Sequence, residues 1–308
     1  MKKILITGAS GFISSYLIPD LVKEGNEVTG LDITPPPAAL KKLEKGFLSM
    51  RVDLTSTADL YRAVYTARPT HILHLGSVLA EPCDENPVRG FAINFNSTLI
   101  LLDAALTLGI KRFVMTSSIA VFGRGAAEPV RDDAHKNPSN IYGQTKLACE
   151  HLMEWYRKKH GLSSTGVRFP WVFGPGRKTG ITAVYSSKLL DSIGAGEKVE
   201  IPNPGEKGDW LYVKDAVKAL KLVLDAEDTP QTVYNIMGSV HSIREVVEIA
   251  KRIRPDADIR YTGDGSSSPY PASYDDSAAR RDLGWKPDYM IEQAVEEHLR
   301  IAGSRIYG

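Results

Sequence analysis

The chain has few cysteines and almost no net charge. Only two of its 308 residues are cysteine, whereas a secreted protein of this length would more often carry several disulfides. The sequence therefore favours a reducing, cytoplasmic compartment. Thirty-eight basic residues stand against 37 acidic ones, a formal net charge of +1, so no overall field attracts nucleic acid or an anionic membrane. We expect neither as a partner.

Long apolar runs are also missing. The run that follows Lys2 and Lys3 ends at Thr7, too soon for a secretory signal. No later stretch approaches the ~20 consecutive apolar residues that span a membrane. With 43% hydrophobic and 24% charged residues, the composition is that of an ordinary globular protein with a large core.

Short apolar runs alternate with segments of helical periodicity in the first half of the chain. The runs, which are typical of buried parallel strands, are 3–7, 27–32, 71–75 and 112–117. Apolar stripes at helical spacing lie between them, notably in 12–23 and 97–108. This strict alternation predicts an α/β fold with a doubly wound parallel sheet and right-handed crossovers.

Beyond residue 160 the pattern loosens. Loops rich in Gly and Pro occupy 169–180, 201–209 and 262–273, and helices are predicted at 213–224 and 243–253. We interpret residues 166–204 and 241–308 as a smaller mixed C-terminal lobe that binds the substrate. Residues 1–165, with parts of 205–240, would form the nucleotide-binding domain.

A glycine-rich turn follows the first apolar run. Gly8 and Gly11 precede a helical segment, with Ser14 where a third glycine is more usual. Backbone N–H groups at a helix start bind pyrophosphate, and glycines remove side chains that would block its approach. The turn predicts a Rossmann-type dinucleotide site, and Ser14 predicts slightly looser packing with binding retained. A plain strand-to-helix turn is the alternative. The predicted cofactor contacts here are Gly8, Ser10, Gly11, Phe12 and Ile13.

Asp32 ends the second apolar run, where the adenosine ribose lies in such folds. Its carboxylate accepts hydrogen bonds from both ribose hydroxyls and repels a 2′-phosphate, and residues 33–37 contain no Lys or Arg. NAD is therefore predicted rather than NADP, unless Asp32 only shapes a turn. Further cofactor contacts are expected from Asp53 and Leu54, just past a strand that we place between the runs 27–32 and 71–75, and from Leu75, Gly76 and Ser77 at the end of the run 71–75.

Tyr142 and Lys146 are four residues apart on a predicted helix, so the phenol and the ammonium share one face. The ammonium and a positive nicotinamide both favour phenolate, so we expect a lowered pKa for Tyr142. Ser118 directly follows the apolar run 112–117, at the sheet edge where ligands bind. Tyr142 is then an acid or base, and Ser118 holds the reacting oxygen.

These motifs together resemble the extended short-chain dehydrogenases/reductases, the NAD-dependent epimerase/dehydratase family. The resemblance runs from TGASGFI at 7–13 to RDLGWKP at 281–287. It implies a catalytic triad of Ser118, Tyr142 and Lys146, with Asn94 near the nicotinamide ribose. It also implies cofactor contacts from Thr116 and Pro170, and a homodimer through the helices at 99–106 and 146–155.

Two departures from the family pattern bear on the substrate. Sugar-nucleotide epimerases of this family usually have Asn where this chain has Trp171, and often Arg where it has Gly208. Both family residues serve the nucleotide diphosphate, so their loss removes charge-assisted phosphate contacts. Arg177 or Lys178 in the following loop could compensate.

The related sugar-nucleotide dehydratases carry an Asp-Glu pair where Ile119 and Ala120 stand, so elimination lacks its acid and base here. The preferred interpretation is an NAD-dependent oxidoreductase acting on a secondary alcohol or ketone of a small sugar, sugar acid or hydroxy acid. The stretch 117–123 is also similar to threonine and sugar-acid dehydrogenases of the family. The candidate substrate contacts are Ser77, Leu79, Ser118, Trp171, Arg177 and Lys178.

Two alternatives stay open. One is a nucleotide-sugar 4-epimerase, similar to UDP-glucose 4-epimerase, that keeps NAD bound through turnover. The other is a protein that binds NAD(H) as a sensor without catalysis. A metal site is not expected, because His71 and His74 are three positions apart in a strand and point to opposite faces.

Overall fold

The computed structural model describes residues 1–43, 45–263 and 270–304, so part of the third predicted loop, 264–269, lies outside the described residues. The strands are β1 (Lys3–Thr7), β2 (Glu27–Asp32), β3 (Phe47–Arg51), β4 (His71–His74), β5 (Arg112–Ser118), β6 (Ser164–Phe169), β7 (Trp171–Phe173), β8 (Val199–Ile201), β9 (Lys207–Tyr212), β10 (Val233–Asn235), β11 (Ser239–Ser242) and β12 (Ile259–Tyr261). The helices are α1 (Phe12–Lys23), α2 (Ala38–Lys41), α3 (Thr57–Ala67), α4 (Ala80–Glu85), α5 (Pro87–Phe91), α6 (Ser97–Thr107), α7 (Ile141–His160), α8 (Ile181–Tyr185), α9 (Ser187–Gly194), α10 (Val213–Asp225), α11 (Ile243–Ile253), α12 (Ser277–Leu283) and α13 (Ile291–Ser304).

Seven parallel strands form the main sheet, in the order β10-β6-β5-β4-β1-β2-β3. The predicted doubly wound α/β fold is confirmed. Strand β1 has β2 on one side and β4 on the other, so the direction of winding reverses between β1 and β4. Ligands bind at such a switch point, beyond the carboxyl ends of the strands.

The sheet separates two apolar cores. Ile4 and Ile6 belong to one cluster and Leu5 to the other, as the period of two in a strand requires. Helices α3, α6 and α7 pack on the Leu5 side, whereas α1 and α10 pack on the opposite side. Burying each such side chain stabilises the fold by about 1.5–3 kcal/mol.

The second half adds two small sheets, β11-β9-β7 and β12-β8. Strand β9 runs antiparallel to β11 and parallel to β7, which confirms a smaller mixed lobe. Strand β6 runs to Phe169 and pairs with β10, so both strands belong to the main sheet. The proposed domain boundaries stay a prediction.

One continuous helix joins α5, a π-helical turn at Ala92–Asn96 and α6. It spans Pro87–Thr107, 21 residues, and an 18-residue window of it has a mean hydropathy of 1.2, so by length and composition alone it could cross a membrane. Half of that window is buried inside the protein, and Leu101 and Leu102 lie in the core. We therefore interpret it as a core helix.

Candidate active site

The turn after β1 and the turn after β4 lie back to back. A Cβ built on Gly8 would lie 2.8 Å from the N and Cα atoms of Gly76, and Gly8 has a φ of +69°. Any larger residue at position 8 would push the turns apart. The Gly76 N–H donates to Thr7 Oγ1 at 3.0 Å, which fixes the second turn against the first. Leu75 and Ser77 flank Gly76 in this turn and are half-buried.

The start of α1 suits an anionic ligand. Its N-cap residue, Gly11, has no side-chain acceptor, and the first turn, which contains Phe12 and Ile13, carries no acid. The N–H groups at the positive end of this helix are therefore available for a pyrophosphate. Ser14 is buried, and its Oγ has no hydrogen-bond partner among the described residues.

Asp32 lies beside the glycine-rich turn that follows β1, called here the phosphate turn. Its Oδ2 accepts a hydrogen bond from Ser10 N at 3.0 Å, and its Oδ1 accepts from Thr34 N and Oγ1 at 2.9 and 2.8 Å. The carboxylate therefore shapes a turn and still has lone pairs on Oδ2 for a ribose hydroxyl. Asp53 makes a similar turn with Thr55, whose hydrogen bonds lower the pKa of the Asp53 carboxyl.

Leu54 makes an apolar contact with the turn after β4. Its Cδ1 lies 2.7 Å from the position that a Cβ on Gly76 would take. The residues predicted to meet the adenine and the dinucleotide backbone are thus neighbours in space. These turns, the open helix start and the carboxylate of Asp32 fit a dinucleotide.

Ser118 and Tyr142 are brought together by a close approach of two backbones. Helix α7 begins beside the 3₁₀ turn that follows Ser118, and a Cβ on Gly143 would lie 2.6 Å from the carbonyl oxygen of Ala120. Only glycine allows this approach. The Asn140 side chain caps the helix by accepting from Gly143 N at 2.8 Å, so Tyr142 stands in its first turn.

Lys146 is buried one turn further along α7. Its Nζ donates to the carbonyl oxygen of Thr116 at 2.8 Å and lies 5.7 Å from the ring centroid of Tyr142. Burial lowers the pKa of Lys146. An ammonium has three donors, so two remain without a partner among the described residues.

The expected lowering of the Tyr142 pKa is wrong for the protein groups alone. Burial raises the pKa of Tyr142 to about 12, and this effect outweighs the Ser118 hydrogen bond and the charge of Arg177, which act to lower it. The physical reason is that removal from water disfavours the charged phenolate relative to the neutral phenol. The sequence pattern gave the spacing to Lys146 but not the degree of burial.

Sequence reasoning missed a buried ion pair behind the site. Arg168 Nε and Nη2 donate to the two carboxylate oxygens of Glu150 at 2.9 and 2.8 Å. Glu150 also accepts from Ser117 Oγ at 2.5 Å, and Arg168 Nη1 donates to Asp132 Oδ1 at 3.3 Å. The pair holds β5 and β6 against α7, one turn beyond Lys146. Glu150 lies four residues after Lys146, which was the available signal.

Asn94 lies in the π-helical turn and is buried. Its Oδ1 accepts from Val78 N at 2.9 Å, and its Nδ2 donates to Val78 O and Thr145 Oγ1 at 3.0 Å each. The amide thus connects the loop after β4 to α7. A direct contact of this side chain with the nicotinamide ribose stays a prediction.

The candidate substrate residues do not all converge. Arg177 is half-buried, with Nη2 2.6 Å from Thr182 Oγ1 and Nη1 bonded to Val172 O. Leu79 lies near it, because both side chains flank Gly180. The indole of Trp171 lies over β9, whereas Lys178 is exposed. Pro170, half-buried, separates β6 from β7.

The two histidines of β4 have separate partners. His71 Nδ1 lies 2.7 Å from Thr70 Oγ1, whereas His74 Nδ1 lies 2.6 Å from Thr7 Oγ1. No cluster of three or more His, Cys, Asp or Glu side chains that could hold a metal occurs in the described part of the chain. Both cysteines are buried and free.

Comparison with known proteins identifies relatives over nearly the whole length. The family model described as the NAD dependent epimerase/dehydratase family matches residues 4–236. The mitochondrial L-threonine 3-dehydrogenase of Sus scrofa is 28% identical over 316 residues, which cover 98% of this chain and 83% of that protein.

Solved structures also match over nearly the whole chain. L-Threonine 3-dehydrogenase from Trypanosoma brucei matches with a TM-score of 0.88 and 29% identity, over 98% of this chain and 97% of that one. UDP-glucose 4-epimerase of Thermus thermophilus, in complex with NAD, matches with a TM-score of 0.82 and 25% identity, over 97% and 98%. These relatives are enzymes, and the family model spans well over half of the chain. The protein therefore belongs to the NAD-dependent epimerase/dehydratase family, as its motifs predicted.

Proposed function

We propose that this protein is an NAD-dependent dehydrogenase that oxidises the secondary alcohol of a small hydroxy acid, with L-threonine as the first candidate. The observation that carries the proposal is the convergence of Ser118, Tyr142 and Lys146 at the carboxyl edge of β5. The similarity to threonine dehydrogenases of Sus scrofa and Trypanosoma brucei supports it.

The chemistry divides among three side chains. Tyr142 Oη removes the hydroxyl proton as the C–H bond gives up a hydride and the carbon becomes a ketone. Ser118 Oγ holds the reacting oxygen, and the two spare donors of Lys146 bind the ribose hydroxyls. The bound cofactor would supply a positively charged ring that accepts the hydride and lowers the pKa of the phenol.

We propose NAD rather than NADP. The Asp32 carboxylate lies beside Ser10 N, in the phosphate turn. A 2′-phosphate placed there would meet this negative charge. No Arg or Lys stands among residues 33–37 to neutralise it.

Arg177 points to an acid as substrate. Burial lowers the pKa of Arg177 to about 10, so the side chain is still charged at neutral pH. Its two hydrogen bonds go to neutral groups, and it forms no ion pair with any described residue. Three of its five N–H groups therefore remain for an anion. The charge lies near enough to Tyr142 to act on the pKa of its phenol.

The second candidate is a nucleotide-sugar 4-epimerase, favoured by the likeness to the Thermus thermophilus enzyme. The pair Trp171 and Gly208 argues against it. Three indole carbons of Trp171 lie within 2.7–2.8 Å of the position that a Cβ of Gly208 would take. While the indole is there, position 208 has no room for an arginine that would bind a diphosphate.

The test is a panel of substrates offered to the purified protein with NAD. We expect net NADH formation with L-threonine, another small hydroxy acid or a sugar acid, and none with the methyl ester of the same compound. Arg177→Met should raise KM for the acid at least tenfold, and Arg177→Lys less. Interconversion of UDP-glucose and UDP-galactose without net NADH would make the protein an epimerase. NAD binding without turnover of any panel compound would favour the sensor.

We also propose a cytoplasmic location, on the basis of the two free, buried cysteines. Cell fractionation tests it. Recovery of the protein from an oxidising compartment would contradict the proposal.

A further inference from the structure

A line of hydrogen bonds connects the turns after β1 and β4, which contain Gly8 and Gly76 and are called here the cofactor turns, to the π-helical turn at Ala92–Asn96. Gly76 N lies 3.0 Å from Thr7 Oγ1, which lies 2.6 Å from His74 Nδ1. On the other side of the imidazole, His74 Nε2 lies 3.3 Å from Ser97 Oγ, and the Ser97 hydroxyl donates to the carbonyl oxygen of Ile93. Thr7, His74 and Ser97 are all buried.

Pairing every proton assigns a direction to every bond. The Ser97 proton goes to Ile93 O, so His74 Nε2 carries a proton and donates it to Ser97 Oγ. Thr7 Oγ1 accepts from the Gly76 N–H, and His74 Nδ1 is the acceptor that the described residues offer to the Thr7 proton. All of these protons are paired when the imidazole is neutral and carries its proton on Nε2.

The surroundings of His74 keep it neutral. Burial, together with the charge of Lys146, lowers the pKa of His74 to about 3. Protonation would place a hydrogen on Nδ1, facing Thr7 Oγ1, and the Thr7 hydroxyl would then have no acceptor among its described partners. An unpaired buried donor costs about 1–3 kcal/mol.

We propose that His74 is a positioning residue whose one-way hydrogen-bond chain fixes the two cofactor turns relative to the π-helical turn that carries Asn94. Without the chain, the Gly76 turn would lose the hydrogen bond that fixes it against the strand end before Gly8. At the other end, the Ser97 hydroxyl satisfies a carbonyl of the π-helical turn, where the regular hydrogen-bond pattern of the helix is interrupted. The proposal rests on the proposed binding of NAD.

Variants at the two ends of the chain test the coupling. Thr7→Val and Ser97→Ala each remove one hydroxyl and leave the imidazole in place. We expect each to raise the Kd for NAD about three- to tenfold, and Thr7→Ser to restore it. Thr70→Val is the matched control, because Thr70 makes the same contact with His71 at the other end of β4. It should leave the Kd unchanged.

The double variant separates a connected chain from two independent losses. If the chain acts as one unit, Thr7→Val with Ser97→Ala should weaken NAD binding little more than either change alone. Additive effects, or an unchanged Kd in Ser97→Ala, would overturn the proposal. If the wild-type protein binds no NAD, the proposed function fails instead. The hydrogen-bond chain is then tested by the protonation state of the His74 imidazole.

Nitrogen-15 NMR of the wild-type protein provides that second readout without cofactor. The His74 signal is assigned by its absence in His74→Gln. We expect the directly bonded proton on Nε2, with no titration between pH 5 and 9, a range spanning the ordinary His pKa of about 6.5. A proton on Nδ1, or titration within that range, would contradict the chain whether or not NAD binds.

Discussion

Gly143→Ala should reduce turnover strongly while leaving the protein folded. The added methyl group would lie 2.6 Å from Ala120 O and 2.8 Å from Pro138 Cβ. An ordinary contact begins at 3.4 Å, so the first turn of α7 must move away from the Ser118 turn by about 0.8 Å. Tyr142 is in that turn and would move with it.

The magnitude follows from the displacement. Misplacing a catalytic group by ~1 Å costs about 100-fold in rate, so we expect kcat/KM to fall by about 50-fold or more, roughly 2.3 kcal/mol of transition-state stabilisation. Alanine favours the helix by about 1 kcal/mol, which offsets part of the strain of about 1–3 kcal/mol. Stability should therefore change much less than activity.

The assay is NADH formation with the best substrate of the panel, alongside urea unfolding. Gly303→Ala is the control, because Gly303 also lies in a helix and the nearest atom to an added Cβ, Gly194 O, is 3.4 Å away. It should retain full activity. Wild-type kcat/KM in Gly143→Ala would refute the claim that this close approach positions Tyr142.

Three further predictions concern stability and assembly. Glu150→Gln removes the carboxylate that accepts two hydrogen bonds from the buried Arg168 and leaves it the longer contact with Asp132, so the free energy of unfolding should fall by about 3 kcal/mol in urea titration; a loss below 1 kcal/mol would contradict the role of the pair. Burial, helped by Asp276, raises the pKa of Asp209 to about 7 from 3.8. The folded protein thus holds this proton more tightly than the unfolded chain, and stability should fall as pH rises from about 4 to about 7; Asp209→Asn should remove that part of the slope, and an identical slope would refute it. Trp155 is 51% exposed and lies on the predicted dimer face. Light scattering should give twice the 33.8 kDa mass of one chain for the wild type, and the mass of one chain for Trp155→Glu. A monomeric wild type would exclude the dimer.

The sequence predicted the elements whose apolar residues recur with a regular period. Helices α1 and α11 have the predicted bounds, and β1 and β2 do as well, because buried parallel strands and amphipathic helices leave strong periodic signals. Spacing also predicted that Tyr142 and Lys146 share one face of α7. The Gly8 turn could be predicted because its backbone conformation and its close packing both require glycine, and glycine is visible in the sequence.

What the sequence did not reveal depends on contacts between distant segments. The pair Glu150 and Arg168 joins residues on α7 and β6; the spacing of Glu150 from Lys146 marks its face of α7 but does not identify Arg168 as its partner. The pKa of Tyr142 depends on burial by several elements at once, so the motif suggested the wrong direction. His74 was considered only as a metal ligand, because its partner Thr7 lies on another strand.

The segments predicted as Gly/Pro-rich loops were the least readable part, because Trp171 lies in strand β7 and Gly208 in strand β9. In the sequence each looked like an isolated departure from the family pattern. The structure shows that the indole of one occupies the space above the other. Only the geometry connects them.

Hydride transfer is the most direct measurement, followed as NADH absorbance with purified protein, NAD and L-threonine or another acid of the panel. We expect steady NADH formation by the wild type and its loss in Tyr142→Phe, with the Kd for NAD in that variant within about threefold of the wild type. Equal rates in the two proteins, or no NADH from any compound in the panel, would contradict the proposed function.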